Sequence, residues 1–247
     1  MGENVKFLNK KLFIIIPLFF ISLTSLANKI DDARNLFIKG EYIKAINLCE
    51  KINTPESLIL QSRIISIHSF FFKEDKEAQD AYLKAYNIAK VVIKNNNTLT
   101  EAYVEAAHAL GRYGQEVGVI NAIAIGIADK IKNYLSLAIK LDENNVIANM
   151  SMGIWHAEII NKAGKKLANI LYGASEDKAR FYLNRTLELN NKQIGLLYEV
   201  ARGFSLLGSN KDFELSKNLL STLILKKNYV HMDSLYKIKA KKLLNKI

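Results

Sequence analysis

A chain of 247 residues, 49% of them apolar and only two of them proline, is long enough to bury one sizeable core or one stack of repeats and too apolar to be disordered. Its single cysteine, Cys49, excludes a disulfide-stapled fold. The formal net charge of +11 admits an anionic partner, but the excess is concentrated at the C-terminus, where Lys226, Lys227, Lys237, Lys239, Lys241, Lys242 and Lys246 face only Asp233. The remaining richness in Lys, Asn and Ile is what an A+T-rich genome over-uses, so no nucleic-acid partner is expected.

The N-terminus reads as a bacterial-type export leader. Lys6, Lys10 and Lys11 precede the apolar run from Leu12 to Ala27, and Ser25 and Ala27 stand at the −3 and −1 positions of a cleavage site before Asn28. The run is shorter than the roughly 20 residues of a spanning helix, and Pro17 interrupts it. Cleavage after Ala27 and release into the periplasm are expected, with an uncleaved inner-membrane anchor as the alternative.

Beyond the leader, apolar residues recur at i, i+3, i+4 and i+7 almost throughout, while period-2 alternation and Asn-Gly or Asp-Gly turns are missing. The chain is therefore expected to be all-α. A self-similar pattern recurs along it. Ala45, Leu48, Cys49 and Ile52 give its first, short copy. Ala78, Ala81, Tyr82, Ala85, Tyr86 and Ile88 give the second, and Ile131, Tyr134, Leu135, Ala138, Ile139 and Leu141 the third. Ala179, Tyr182, Leu183, Thr186, Leu187 and Leu189 give the fourth. Leu215, Leu219, Thr222, Leu223 and Leu225 give the fifth, with Asn218 breaking the pattern at i+3. Twelve positions before each anchor, allowing for insertions in the third and fourth copies, stand the small residues Ala33, Ser66, Ala107, Gly153 and Gly203. A larger side chain there would wedge paired helices apart.

This register resembles the tetratricopeptide repeat (TPR) family, over roughly Asp31 to Lys226, and two of the anchor spacings fall near that family's period of about 34 residues. Gly40 and Tyr42 are further family marks. The family's helix-ending proline is replaced by Glu143 in LDENN and by Asn191 in LELNN, turn residues that still stop a helix. The resemblance implies an α-solenoid of about five hairpins over residues 28–230. With the segment YGAS before the fourth second-helix, the chain also resembles exported bacterial relatives of the regulator of microtubule dynamics family, and more distantly the TRAP-transporter T-component.

The two wide spacings hold apolar insertions, GQEVGVINAIAIGIAD and NKAGKKLANILYGA. Insertions at one place in adjacent repeats emerge on one rim of a solenoid, where they would pack on each other or on a ligand. A lengthened helix pair that thickens the core is the competing reading. Residues 231–247 read as a basic capping helix over the last hairpin, whose lysines also offer a peripheral membrane contact.

Catalytic patterns are missing. His68, His108, His156 and His231 form no metal-ligand spacing, there is no P-loop, and Cys49 falls on a core-facing position. Neither an enzyme, a cofactor nor a metal site is expected. In TPR domains the first helices line a concave groove, and the resemblance transfers that role to Arg63, Ile67, Phe70, His108, Arg112, Met150 and Ile154. Arg63, Phe70, His108, Arg112, Met150, Ile154 and, in the second insertion, Tyr172 are the candidate partner-binding residues. They suit an extended peptide or helix bearing a carboxylate, and the oligomeric state stays open. The expected function is a periplasmic scaffold binding a protein or peptide partner. The alternative is an accessory small-molecule or lipid-binding component of a transport system. Trp155, the sole tryptophan, reads as core before ligand platform.

Overall fold

Side chains buried at i, i+4 and i+7 drive this chain into paired helices. In the computed structural model, residues 28–190 and 192–247 are described; the expected leader of residues 1–27 and Asn191 lie outside them. Every regular element among the described residues is a helix. They are α1 (28–38), α2 (Tyr42–Ile52), α3 (Pro55–Phe72), α4 (Asp75–Asn95), α5 (Thr100–Glu116), α6 (Val119–Ala124), α7 (Ile127–Leu141), α8 (Val146–Ala163), α9 (Lys165–Tyr172), α10 (Glu176–Leu189), α11 (Ile194–Leu207), α12 (Asn210–Leu225) and α13 (His231–Leu244).

Five antiparallel hairpins stack in chain order: α1 with α2, whose Ile30 and Ala33 share a core with Tyr42, Ala45 and Cys49, then α3 with α4, α5 with α7, α8 with α10, and α11 with α12. Their second helices bury the repeating positions Ala45 and Cys49, Ala78, Tyr82 and Ala85, Ile131, Leu135 and Ala138, and Ala179, Leu183 and Thr186. The helices start and stop where local chemistry directs them. Thr54 and Ser57 form a capping box that spans Pro55 in the first turn, and Asn145, Ser175 and Ser209 each accept a backbone N–H at a helix start.

The fifth hairpin departs from the expected register by one residue. Its buried second-helix positions are Ser216, Leu220 and Leu223, while Leu215 is half-buried and Leu225 is exposed. Ser216 is the true anchor. It is small enough for close approach, and its hydroxyl donates to the Ala201 carbonyl at 2.8 Å. The last template position is not core in every copy: Leu141 and Leu225 face solvent, while Ile88 packs against the core and Leu189 is half-buried.

The close-packing glycines meet as expected. Leu183 is fully buried between α8 and α11, where a Cβ at Gly153 would come within 2.8 Å of its side chain and one at Gly203 within 2.9 Å. One leucine thus fills the notch of two successive first helices.

The stack closes on itself through α13. This helix packs on α11 and α12 and also reaches the first two hairpins. Tyr236 is buried against Gly195 and Tyr198 of α11 and Phe71 of α3, with ring centroids 5.5 Å apart for Tyr198 and 4.9 Å for Phe71. His231 Nδ1 lies 3.1 Å from the Tyr42 hydroxyl, and its ring covers Gly40. A cap over the last hairpin alone does not describe it, because α13 joins the last repeat to the first.

Candidate functional site

The first helices α3, α5, α8 and α11 form an inner face crossed by buried charge. On α5, Arg112 Nη2 donates to Glu199 Oε1 of α11 at 2.5 Å, and its guanidinium carbon sits 3.9 Å from the Phe70 ring centroid. Arg202 Nε donates to Glu199 Oε2 at 3.0 Å, and its Nη1 donates to Glu158 Oε1 at 2.6 Å. Burial alone would raise the Glu199 carboxyl, but Arg112 and Arg202 outweigh it and pull the pKa down to about 2. Burial likewise opposes the charge on Arg202, and Glu199 and Glu158 overcome it, raising that group above the ordinary arginine value. Glu199 and Arg202 therefore stay ionised in the interior.

Above this floor opens a cavity of about 480 Å³. Its walls are mostly apolar and come from both expected sources. Met150, Ile154 and Trp155 stand on the first helix α8, while Ala122, Ile123, Leu167, Leu171 and Tyr172 belong to the insertions. Each insertion forms its own short helix. α6 packs on α5 and α7, and α9 on α8. Ala122 and Ala168 anchor them to the main core, while Ile123 of α6 and Leu167, Ile170 and Leu171 of α9 stay exposed. They are therefore separate helices bordering a cavity, not a lengthened hairpin that thickens the core. The Trp155 indole N–H donates to the Ala128 carbonyl at 3.0 Å, so the tryptophan is both core and cavity wall.

Of the expected partner-binding residues, His108, Arg112, Met150, Ile154 and Tyr172 are brought together around this cavity. Arg63 and Phe70 are not. Arg63 borders a separate depression beside the α7–α8 turn and donates from Nε to Glu105 Oε1 at 2.7 Å. Burial would raise the Glu105 carboxyl, but Arg63 and then His108 hold it below the usual carboxylate range. Phe70 is sandwiched between the Arg112 guanidinium and Lys239 of α13, whose Nζ lies 4.0 Å from the ring centroid. The expectation of cations waiting for a partner's carboxylate is thus corrected. Arg63 and Arg112 already face buried carboxylates of this chain.

Sequence reasoning missed Glu199, Arg202 and Glu158, and it left Ile123, Leu167 and Leu171 unnamed within the insertions. The first two carried a signal, being charged residues three apart in the otherwise apolar helix IGLLYEVARGFSLL. Cys49 is fully buried and burial pushes its thiol up to about 11, which suits an inert core position. Among the described residues no group of three or more His, Cys, Asp or Glu side chains is placed to hold a metal ion. No described helix is long and apolar enough to cross a membrane.

Stacked hairpins with small residues at their notches and an inner face built from first helices define a TPR-like α-solenoid. A solved structure with this architecture, a thermophilic TPR protein of Thermus thermophilus, superposes with a TM-score of 0.61 at 15% identity, covering 89% of this chain and 99% of that one. A profile of the family described as regulator of microtubule dynamics protein 1-3 matches residues 29–247, and the chain belongs to that family. No match was found among curated proteins.

Proposed function

We propose that this TPR-like protein is an exported scaffold that binds a protein or peptide partner by taking its apolar side chains into the cavity between α8 and the insertion helices α6 and α9. The observation that carries the reading is the cavity itself, an open apolar volume of about 480 Å³ where the first-helix residues Met150 and Ile154 meet Leu167, Leu171 and Ile123. Because the neighbouring arginines are already paired, recognition rests on apolar shape more than on a partner's charge. Export rests on the leader pattern from Lys6 to Ala27.

Selection of displayed random peptides of about a dozen residues on the purified protein tests this. Peptides with apolar residues at helical or alternate spacing are expected to enrich. Their binding should be lost in Ile123→Arg and Leu171→Arg, whose exposed positions leave the melting temperature unchanged. Peptides that bind both variants as well as the parent would refute the cavity as the site.

The same volume favours a second reading, an apolar small molecule or a single acyl chain held by an accessory component of a transport system. Native mass spectrometry of the purified protein is expected to show a mature chain starting at Asn28 and, on this second reading, a co-purifying adduct. A bare chain would remove the second reading and leave the first.

A further inference from the structure

Two helices that belong to no hairpin stand at the same edge of the stack. Each is clipped between glycines of positive φ, Gly118 (80°) and Gly126 (64°) around α6, Gly164 (76°) and Gly173 (65°) around α9. A Cβ at Gly118, Gly126 or Gly164 would meet nothing within 4 Å, so these glycines redirect the chain and serve no packing. The large aliphatics presented there remain in solvent. Ile123 is 61% exposed, Ile125 45%, Leu167 55%, Ile170 76% and Leu171 63%.

The segments that present these side chains, Gly118 to Gly126 and Gly164 to Gly173, carry no negative charge, the nearest acidic residues, Glu116, Asp129, Glu176 and Asp177, standing beyond the bounding glycines. Lys165 and Lys166 open α9. Lysines also close both C-terminal ends. Lys130 Nζ donates to the Ile125 carbonyl at 2.8 Å, and Lys132 Nζ to that of Tyr172 at 2.6 Å. Lys165 lies 2.8 Å from Glu176, an exposed pair on its lysine side that water and salt screen.

We propose that the α6–α9 edge docks on the surface of an anionic lipid bilayer, with Ile125 and Ile170 entering the acyl boundary and Lys165 and Lys166 meeting lipid phosphates. Protruding aliphatics on short helices fit a medium that needs no complementary shape, and a border of lysines is what an anionic surface attracts. Ile125, Ile170 and Lys166 do not line the cavity, so this docking is separate from peptide binding.

The test uses the full chain with Ile170→Cys carrying an environment-sensitive dye; Cys49, fully buried, stays unlabelled. Phosphatidylcholine vesicles containing about one third phosphatidylglycerol are expected to blue-shift the dye with a several-fold gain in emission that falls with salt. Pure phosphatidylcholine should give little change. Adding Lys166→Glu and Ile125→Asp should remove most of the gain while the enriched peptides still bind. Cosedimentation without a shift at position 170 would overturn the proposal, because the apolar run of residues 12–27 or the C-terminal lysines would then hold the vesicle. Absence of binding, equal shifts on neutral and anionic vesicles, or a shift at Leu225→Cys in place of Ile170→Cys would overturn it as well. Loss of peptide binding with vesicle binding intact would assign the edge to a protein partner.

Discussion

The inner face of this solenoid has two halves that the repeats build alike and the chain treats differently. Over the first, second and fifth hairpins the protein fills its own groove, laying Tyr236 of α13 against Phe71, Tyr198 and Gly195 and Lys239 over Phe70. Over the third and fourth hairpins it leaves the groove open and raises α6 and α9 beside it. Arg112 belongs to both halves, stacking on Phe70 in one and reaching Glu199 beneath the other. The difference shows why groove position alone does not identify a binding residue. Phe70 and Met150 hold equivalent kinds of place, yet only Met150 borders open volume.

If the first half is filled for stability, emptying it must cost the fold. Tyr236→Ala removes a buried aromatic ring at the meeting point of α3, α11 and α13, and a loss of about 3–5 kcal/mol is expected in urea denaturation. The variant should also become sensitive to proteolysis between α12 and α13, where the chain crosses from Lys226 to Val230. A loss below about 1 kcal/mol would mean that α13 leans on the groove without securing it.

A pH titration separates the halves without touching the groove-filling helix. His156 sits behind the cavity wall, 3% exposed, beside Trp155 and stacked on Tyr182. Burial, then Lys178 and Lys132, push its pKa from 6.5 down to about 4. Below pH 6.5 the unfolded chain takes up a proton that the folded chain refuses, so stability is complete above 6.5 and withdrawn as pH falls towards 4. The full loss is on the order of 3 kcal/mol, with somewhat more than half of it reached by about pH 5. Glu199 titrates lower. Its folded pKa of about 2 keeps its contribution intact above 4.5 and loses it only as pH falls through the interval below. Denaturation at pH 7 and pH 5 should therefore differ in the parent, and most of that difference should vanish in His156→Gln, leaving the smaller part due to His68, which burial and then Lys73 also hold below its ordinary value. A difference undiminished by the substitution would place the titrating group elsewhere.

Much of this architecture was legible because helical burial is periodic and local. Ala45, Ala78, Ile131 and Ala179 announce their hairpins in the spacing of their neighbours. The fifth hairpin misled by one residue because Leu215 and Leu219 look more like core than Ser216 does, although a serine that hydrogen-bonds a neighbouring helix packs closer. Pairings distant in sequence were illegible for a different reason. Arg63 finds Glu105, Arg112 finds Glu199, and Tyr42 finds His231, and nothing in local periodicity says which helices the curl of the stack will bring together. For the site, the insertions were visible as apolar excess, but the cavity beside them depends on α6 and α9 folding apart from the hairpins. The glycines at both ends of each insertion were the available sign of that.

The smallest effect expected on stability falls on the open half, and it is the counterpart of emptying the filled one. Leu167 lines the cavity from α9 yet is 55% exposed, so Leu167→Ala removes little buried surface and should change stability by no more than about 0.5 kcal/mol. A peptide seated in the cavity would still lose the leucine's contact, and its dissociation constant should rise by about tenfold or less, the range of a rim contact. The same denaturation assay and the selected peptides read both quantities in one variant. If Leu167→Ala destabilised the protein as much as Tyr236→Ala, both halves would be core and the distinction between a filled and an open groove would fail. If it changed neither stability nor peptide binding, α9 would lie outside the peptide's reach, and the binding volume would shrink to the α5 and α8 walls, where Met150 and Trp155 are already buried.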